Sequence, residues 1–100
     1  MIKVKVKYND NFIDSFVMSG HSNYDNPGKD IVCASASSIA ISSINLASKF
    51  DESAIDVICK DGFLDVKILK KDEIINKVFI NMIDMLKELE VEYKKNIKII

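Results

Sequence analysis

The sequence predicts an α+β domain of element order ββαββαβ, with two helices packed on a mostly antiparallel sheet. Three observations carry that prediction. The opening MIKVKVKY alternates apolar residues and Lys with period two, the signature of a half-buried strand. Asp61-Gly62 sits between two alternating apolar runs, the strongest short hairpin signal. Two long runs free of Gly and Pro, each preceded by an Asp, carry apolar residues at helical spacing.

The first strand covers Ile2 to Tyr8, with Ile2, Val4, Val6 and Tyr8 on one face and Lys3, Lys5 and Lys7 on a solvated one. Asn9-Asp10-Asn11 reads as a turn, so FIDSFVMS returns as the second strand of a hairpin. The first helix follows Asp30, a natural N-cap, with Val32, Ala36, Ile39, Ala40, Ser43, Leu46, Ala47 and Phe50 expected on its packed face. Its Ala and Ser content makes it slim, and Ser is a mediocre helix former, so packing must hold it.

Pairing outward from Asp61-Gly62 sets Cys59 opposite Leu64, Val57 opposite Val66 and Ile55 opposite Ile68. The same register puts Asp56 opposite Lys67 on the other face. Cys59 is accordingly expected on the apolar side. The second helix follows Asp72, with Ile75, Val78, Phe79, Met82, Met85, Leu86, Leu89 and Tyr93 as its stripe. NIKII closes the chain as a short last strand.

The bulk properties exclude several function classes. The chain has 100 residues, 48% hydrophobic and 29% charged, with a net charge of -1, which fits one ordinary folded domain spanning residues 1–100. That balance speaks against direct nucleic-acid binding, which draws on excess basic charge. All 14 basic residues are Lys, so no guanidinium fork is present for bidentate anion recognition. One His and two distant Cys do not make a zinc site, and no cofactor motif is present. The opening strand pattern is not a secretory signal and the apolar runs read as too short for a membrane span, so a cytoplasmic protein with reduced Cys33 and Cys59 is expected.

Chemistry concentrates in GHSNYDNPGKDIVCASASS, Gly20 to Ser38. The connection from strand two to helix one is longer than the roughly two to six residues usual for such links. It sets His21 at a strand end and Cys33 in the first turn of a helix, and a folded-back loop can bring them together. A helix start favours an anion, so a thiolate at Cys33 is favoured there. The pair would form an acyl-transfer dyad, Cys33 attacking a peptide carbonyl while His21 manages the proton. Backbone N–H groups of the helix start could receive the oxyanion. The competing reading makes Cys33 a small buried hydrophobe and His21 a surface loop residue. Asp30 can cap the helix, face His21, or do both. Ser37, one turn beyond Cys33, lies on the same face and could line the site or fill space.

Gly-His at a strand end followed by GKDIVCASAS opening a helix resembles the bacterial ribosomal-processing cysteine protease family, often called Prp. The family pattern runs Gly-His-Ala, a variable loop, then Gly-x-Asp-Ile-Val-Cys-Ala-Ala-x-Ser. Gly20, His21, Gly28, Asp30, Ile31, Val32, Cys33, Ala34 and Ser37 match it, while Ser22 and Ser35 replace Ala. The resemblance implies a dyad of His21 and Cys33. It further implies an endopeptidase that removes the amino-terminal extension of large-subunit ribosomal protein twenty-seven after an aromatic residue. A homodimer is implied too, with a loop that moves over the substrate and for which Pro27 and Gly28 would suit a hinge. A non-catalytic ribosome-associated module that uses the loop as a clamp is the rival from another class.

Overall fold

The computed structural model describes residues 1–26 and 28–100. Its elements are β1 (Ile2–Asn9), β2 (Phe12–Ser19), α1 (Ile31–Asp51), a 3-10 turn over Glu52–Ala54, β3 (Ile55–Lys60), β4 (Phe63–Ile68), α2 (Glu73–Glu92) and β5 (Ile97–Ile99). The sheet order is β3-β4-β2-β1-β5, with every pairing antiparallel except β1 with β5. The predicted α+β class and element order hold.

The β3–β4 hairpin has the register that its turn chemistry dictates: Cys59 faces Leu64, Val57 faces Val66 and Ile55 faces Ile68. In β1 the alternation holds through Lys7. A register shift between Lys7 and Tyr8 then turns Tyr8 out to solvent, against the face expected for it.

Both helices lie on one face of the sheet, over Val4, Phe16, Leu64, Val66 and Ile97. Phe79 of α2 packs against Phe16, ring centroids 5.5 Å apart. Val32, Ala36, Ala40, Ser43, Ile44 and Ala47 are the buried residues of α1, and the three alanines let the helix axis approach its neighbours closely. Ser43 satisfies its hydroxyl on the Ile39 carbonyl, 2.8 Å away. Two expectations for α1 are corrected here. Leu46 and Phe50 are 47% and 55% exposed, and Ile44 packs inward instead. In α2, Met85 is 42% exposed while Ile83 joins the core.

The run Ile31–Ala54 has the length and apolar character of a membrane span, contrary to the reading of apolar run lengths. One face of that run is folded into the core, as befits the central helix of an α+β domain.

Candidate active site

The β2 strand ends at Ser19, and Gly20 takes φ +90° to redirect the chain toward the start of α1. A Cβ at Gly20 would sit 2.5 Å from the Met1 carbonyl oxygen, so neither conformation nor space admits a side chain. Gly20→Ala is therefore expected to cost about 1–3 kcal/mol of stability from the backbone alone, read as a drop in the denaturant midpoint at unchanged slope.

The segment beyond Gly20 is tied down residue by residue. Gly20 N–H donates to the Gly62 carbonyl of the β3–β4 turn at 2.9 Å. The Ser22 carbonyl accepts from Asn96 Nδ2 at 3.1 Å, just before β5. Asn23 adopts φ 57°, a conformation Asn tolerates. Tyr24 meets Tyr93 edge to face, centroids 5.4 Å apart, which seats the loop on the end of α2. Lys29 N–H closes a turn on the Asn26 carbonyl at 2.9 Å, with Gly28 at φ +86° inside it. Pro27, the other expected hinge residue, lies outside the described residues.

Asp30 is the hub. One carboxylate oxygen, Oδ1, accepts from the N–H groups of Val32 and Cys33 at 3.0 and 2.9 Å, capping α1. The other, Oδ2, accepts from the Ser22 hydroxyl, from Tyr24 N–H at 3.1 Å and from Asp25 N–H at 3.5 Å. Desolvation pushes the Asp30 carboxyl upward. The donors from Cys33, Ser22, Asp25 and Tyr24 outweigh it and hold the group down at about 2, below its ordinary 3.8. Among the described residues no hydrogen bond joins Asp30 to His21. Of the two roles open to Asp30, capping the helix and facing His21, the cap is the one observed, and fastening of the loop comes in addition.

This arrangement corrects the expected source of oxyanion stabilisation. The N–H groups of Val32 and Cys33 are committed to Asp30, and that of Ala34 bonds the Asp30 carbonyl at 3.1 Å. The donor that reaches the sulfur comes instead from the other strand end, where Ser22 N–H points at Cys33 Sγ from 3.4 Å. Ser22 itself is 1% exposed, a buried polar residue whose N–H, carbonyl and hydroxyl are all engaged.

His21 and Cys33 line the same two adjoining cavities. One is a groove of about 430 Å³ whose walls include Ile2, Met18, Ala40, Ile41 and Leu64. The other, about 680 Å³, lies under the loop and is lined by Asp25, Gly28, Asp30 and Asp61 among others. Ser37 borders both, so it does line the site. No hydrogen bond links the imidazole to the sulfur among the described residues, a common state of unliganded sites whose contacts tighten on substrate. The combination suits acyl transfer, with a sulfur and a proton carrier bordering one apolar groove and a backbone N–H bonded to the sulfur.

Cys59 is a further correction. It stands on the same face as Leu64, as its register requires, but on the edge strand β3 it is exposed and borders the groove rather than packing into the core. Sequence reasoning also missed Gly62, Asp61, Ser22 and Asn96 as parts of this site. For Ser22 a signal was present, since a hydroxyl stands where the resembling pattern has Ala.

Comparison with known proteins agrees with this geometry. A family model described as "Cysteine protease Prp" matches residues 1–98. No match was found among curated proteins. An essential ribosomal processing protease Prp from S. aureus, in complex with a covalently linked product peptide, is 27% identical, with TM-score 0.94 over 99% of this chain and 97% of that one. The same S. aureus protease with a substrate peptide gives 26% identity and TM-score 0.88 over 100% and 98%. A protein from Streptococcus mutans, 19% identical at TM-score 0.83 over 99% and 91%, shares the fold.

Proposed function

Because the chain belongs to the cysteine protease Prp family, we propose that Cys33 and His21 form its catalytic dyad and that its substrate is the amino-terminal extension of large-subunit ribosomal protein twenty-seven. The observation that carries the dyad is the meeting of Cys33 and the lone imidazole at one groove, with the Ser22 N–H donating to the sulfur. The S. aureus relatives were captured with substrate and product peptides, which supports a peptide occupant for that groove.

In the reaction, His21 takes the thiol proton of Cys33 as the sulfur adds to the scissile carbonyl carbon and the carbonyl electrons move to oxygen. As the tetrahedral species collapses, the C–N bond breaks and His21 gives its proton to the leaving amine. Water then attacks the thioester, losing a proton to His21; the C–S bond breaks, the acid product leaves, and His21 returns the proton to the Cys33 sulfur. The N–H of Ser22 donates to the sulfur and so orients the nucleophile. Ser37 borders the substrate path. The loop ahead of α1 closes over the peptide, turning at Gly28.

The test is incubation with a synthetic peptide spanning the extension, followed by mass spectrometry of the products. A single cut that leaves an aromatic residue at the new carboxyl end is expected, and an intact peptide overturns the substrate assignment. Alkylation provides a second check. Cys59 is the more exposed thiol, so exposure alone would have iodoacetamide label it first. Faster labelling of Cys33 is expected of the dyad's nucleophile, and labelling of Cys59 first would contradict that role. A cytoplasmic homodimer completes this reading, on the strength of the family resemblance. Cell fractionation and light scattering test its two halves.

A further inference from the structure

The imidazole of His21 rests against the turn between β3 and β4. A Cβ built on Gly62 would stand 2.8 Å from His21 Nε2, 3.3 Å from Cε1 and 3.6 Å from Cδ2. Real side chains do not tolerate the first of these distances, so the ring occupies space that only a glycine leaves open. The same turn also holds the backbone beside the ring, through Gly20 N–H to the Gly62 carbonyl at 2.9 Å. Asp61 and Gly62 both border the groove that His21 and Cys33 share.

We propose that Gly62 is a positioning residue for His21: the bare backbone of the β3–β4 turn is the seat that fixes the imidazole facing the Cys33 groove. The proposal rests on the dyad reading and adds to it a second function for the glycine. Turn chemistry already explains a glycine here, since φ is +68°, but Asn also adopts such φ values. The contact with the imidazole adds a demand that Asn does not meet without moving the ring, because every L side chain brings a Cβ. The ring's far edge (Nε2, Cε1 and Cδ2) faces the turn, so an intruding Cβ would rotate the ring about its own side-chain bonds.

The test uses Gly62→Asn in the full chain, which keeps a residue able to hold the turn while adding the Cβ. Cleavage of the extension peptide should lose about 10- to 100-fold in kcat, the scale on which misplacing a reacting group by about 1 Å acts, with KM changed less than about twofold. In a His21→Ala background, Gly62→Asn should have no further effect, because the two residues act through one contact. Equal losses in both backgrounds would mean a merely structural glycine and would overturn the proposal, as would full activity of Gly62→Asn. His21 is the only histidine, so its ring signals are assigned without ambiguity in NMR spectra. Nuclear Overhauser contacts from its ring protons to Gly62 Hα are expected in the unaltered protein, and their absence overturns the seat even if Gly62→Asn fails to fold. Unchanged cleavage by His21→Ala would instead sink the dyad reading. Loss with His21→Ala but none with Gly62→Asn sinks the seat alone.

Discussion

Cys33→Ser is expected to abolish cleavage of the extension peptide, by about 10⁴-fold or more in kcat, while leaving the melting curve close to that of the native protein. The magnitude follows from the role. Removing the nucleophile of a covalent mechanism leaves only what binding and oxyanion donors contribute. The small effect on folding follows from the site, because a serine oxygen can accept the Ser22 N–H that now reaches the sulfur, and half-burial at the first helical turn tolerates the swap. His21→Ala should cost about 10²–10⁴-fold, the range for a general acid–base group. The double variant should be no worse than Cys33→Ser, since a proton carrier without its nucleophile has nothing to act on. Cleavage kinetics and thermal melts of the three variants settle the matter, and appreciable cleavage by Cys33→Ser would remove Cys33 as the nucleophile. Cys59→Ser provides the contrast on the same groove wall, at the exposed edge strand.

Local chemistry and long-range placement were unequally legible in the sequence. Where the turn specifies the register, as at Asp61-Gly62, every cross-strand pair from Ile55 to Lys60 could be read before folding. Both helix caps were equally plain, since Asp30 and Asp72 precede apolar runs and each accepts two backbone N–H groups. The face of α1 was harder. With Ile39, Ile41, Ile44 and Leu46 spread around a helix of Ala and Ser, the apolar residues do not define one stripe, and only the sheet and α2 decide that Ile44 turns in and Leu46 out. At the site, the strand end at His21 and the helix start at Cys33 were visible as two ends of one long connection. The partners that fix them were not, because Gly62 and Asn96 come from remote segments, one reaching the loop through its backbone carbonyl and the other through its side-chain amide. Asp30 lies between these cases. Its cap reads directly from position, yet the corollary that its cap spends the N–H groups of Val32 and Cys33 emerges only when every donor is traced to its acceptor.

Asp30 is also where fold and chemistry can be separated by experiment. Asp30→Ala removes the cap and the loop fastening together, so both the melting temperature and cleavage should fall. Asp30→Asn is the sharper probe. Its Oδ1 can keep the bonds from Val32 and Cys33, since Asn is as good an N-cap as Asp. Its amide nitrogen, however, would face the Tyr24 and Asp25 N–H groups as donor against donor. The expected outcome is a nearly intact α1 with a released loop. Cleavage should drop about 10²-fold, on the scale set by misplacing a reacting group, as Ser22 N–H drifts from the sulfur. A pH series supplies the sign. With its folded carboxyl held at about 2 against an ordinary 3.8, Asp30 contributes stability that is fully present above pH 3.8 and fades as the pH falls toward 2. The native protein should therefore lose part of its stability across that acid window, and Asp30→Asn should lose less of it. An acid unfolding curve identical in the two proteins would show that the Asp30 charge does not hold the loop to the helix start, and full cleavage by Asp30→Asn would show that the sulfur does not need that fastening.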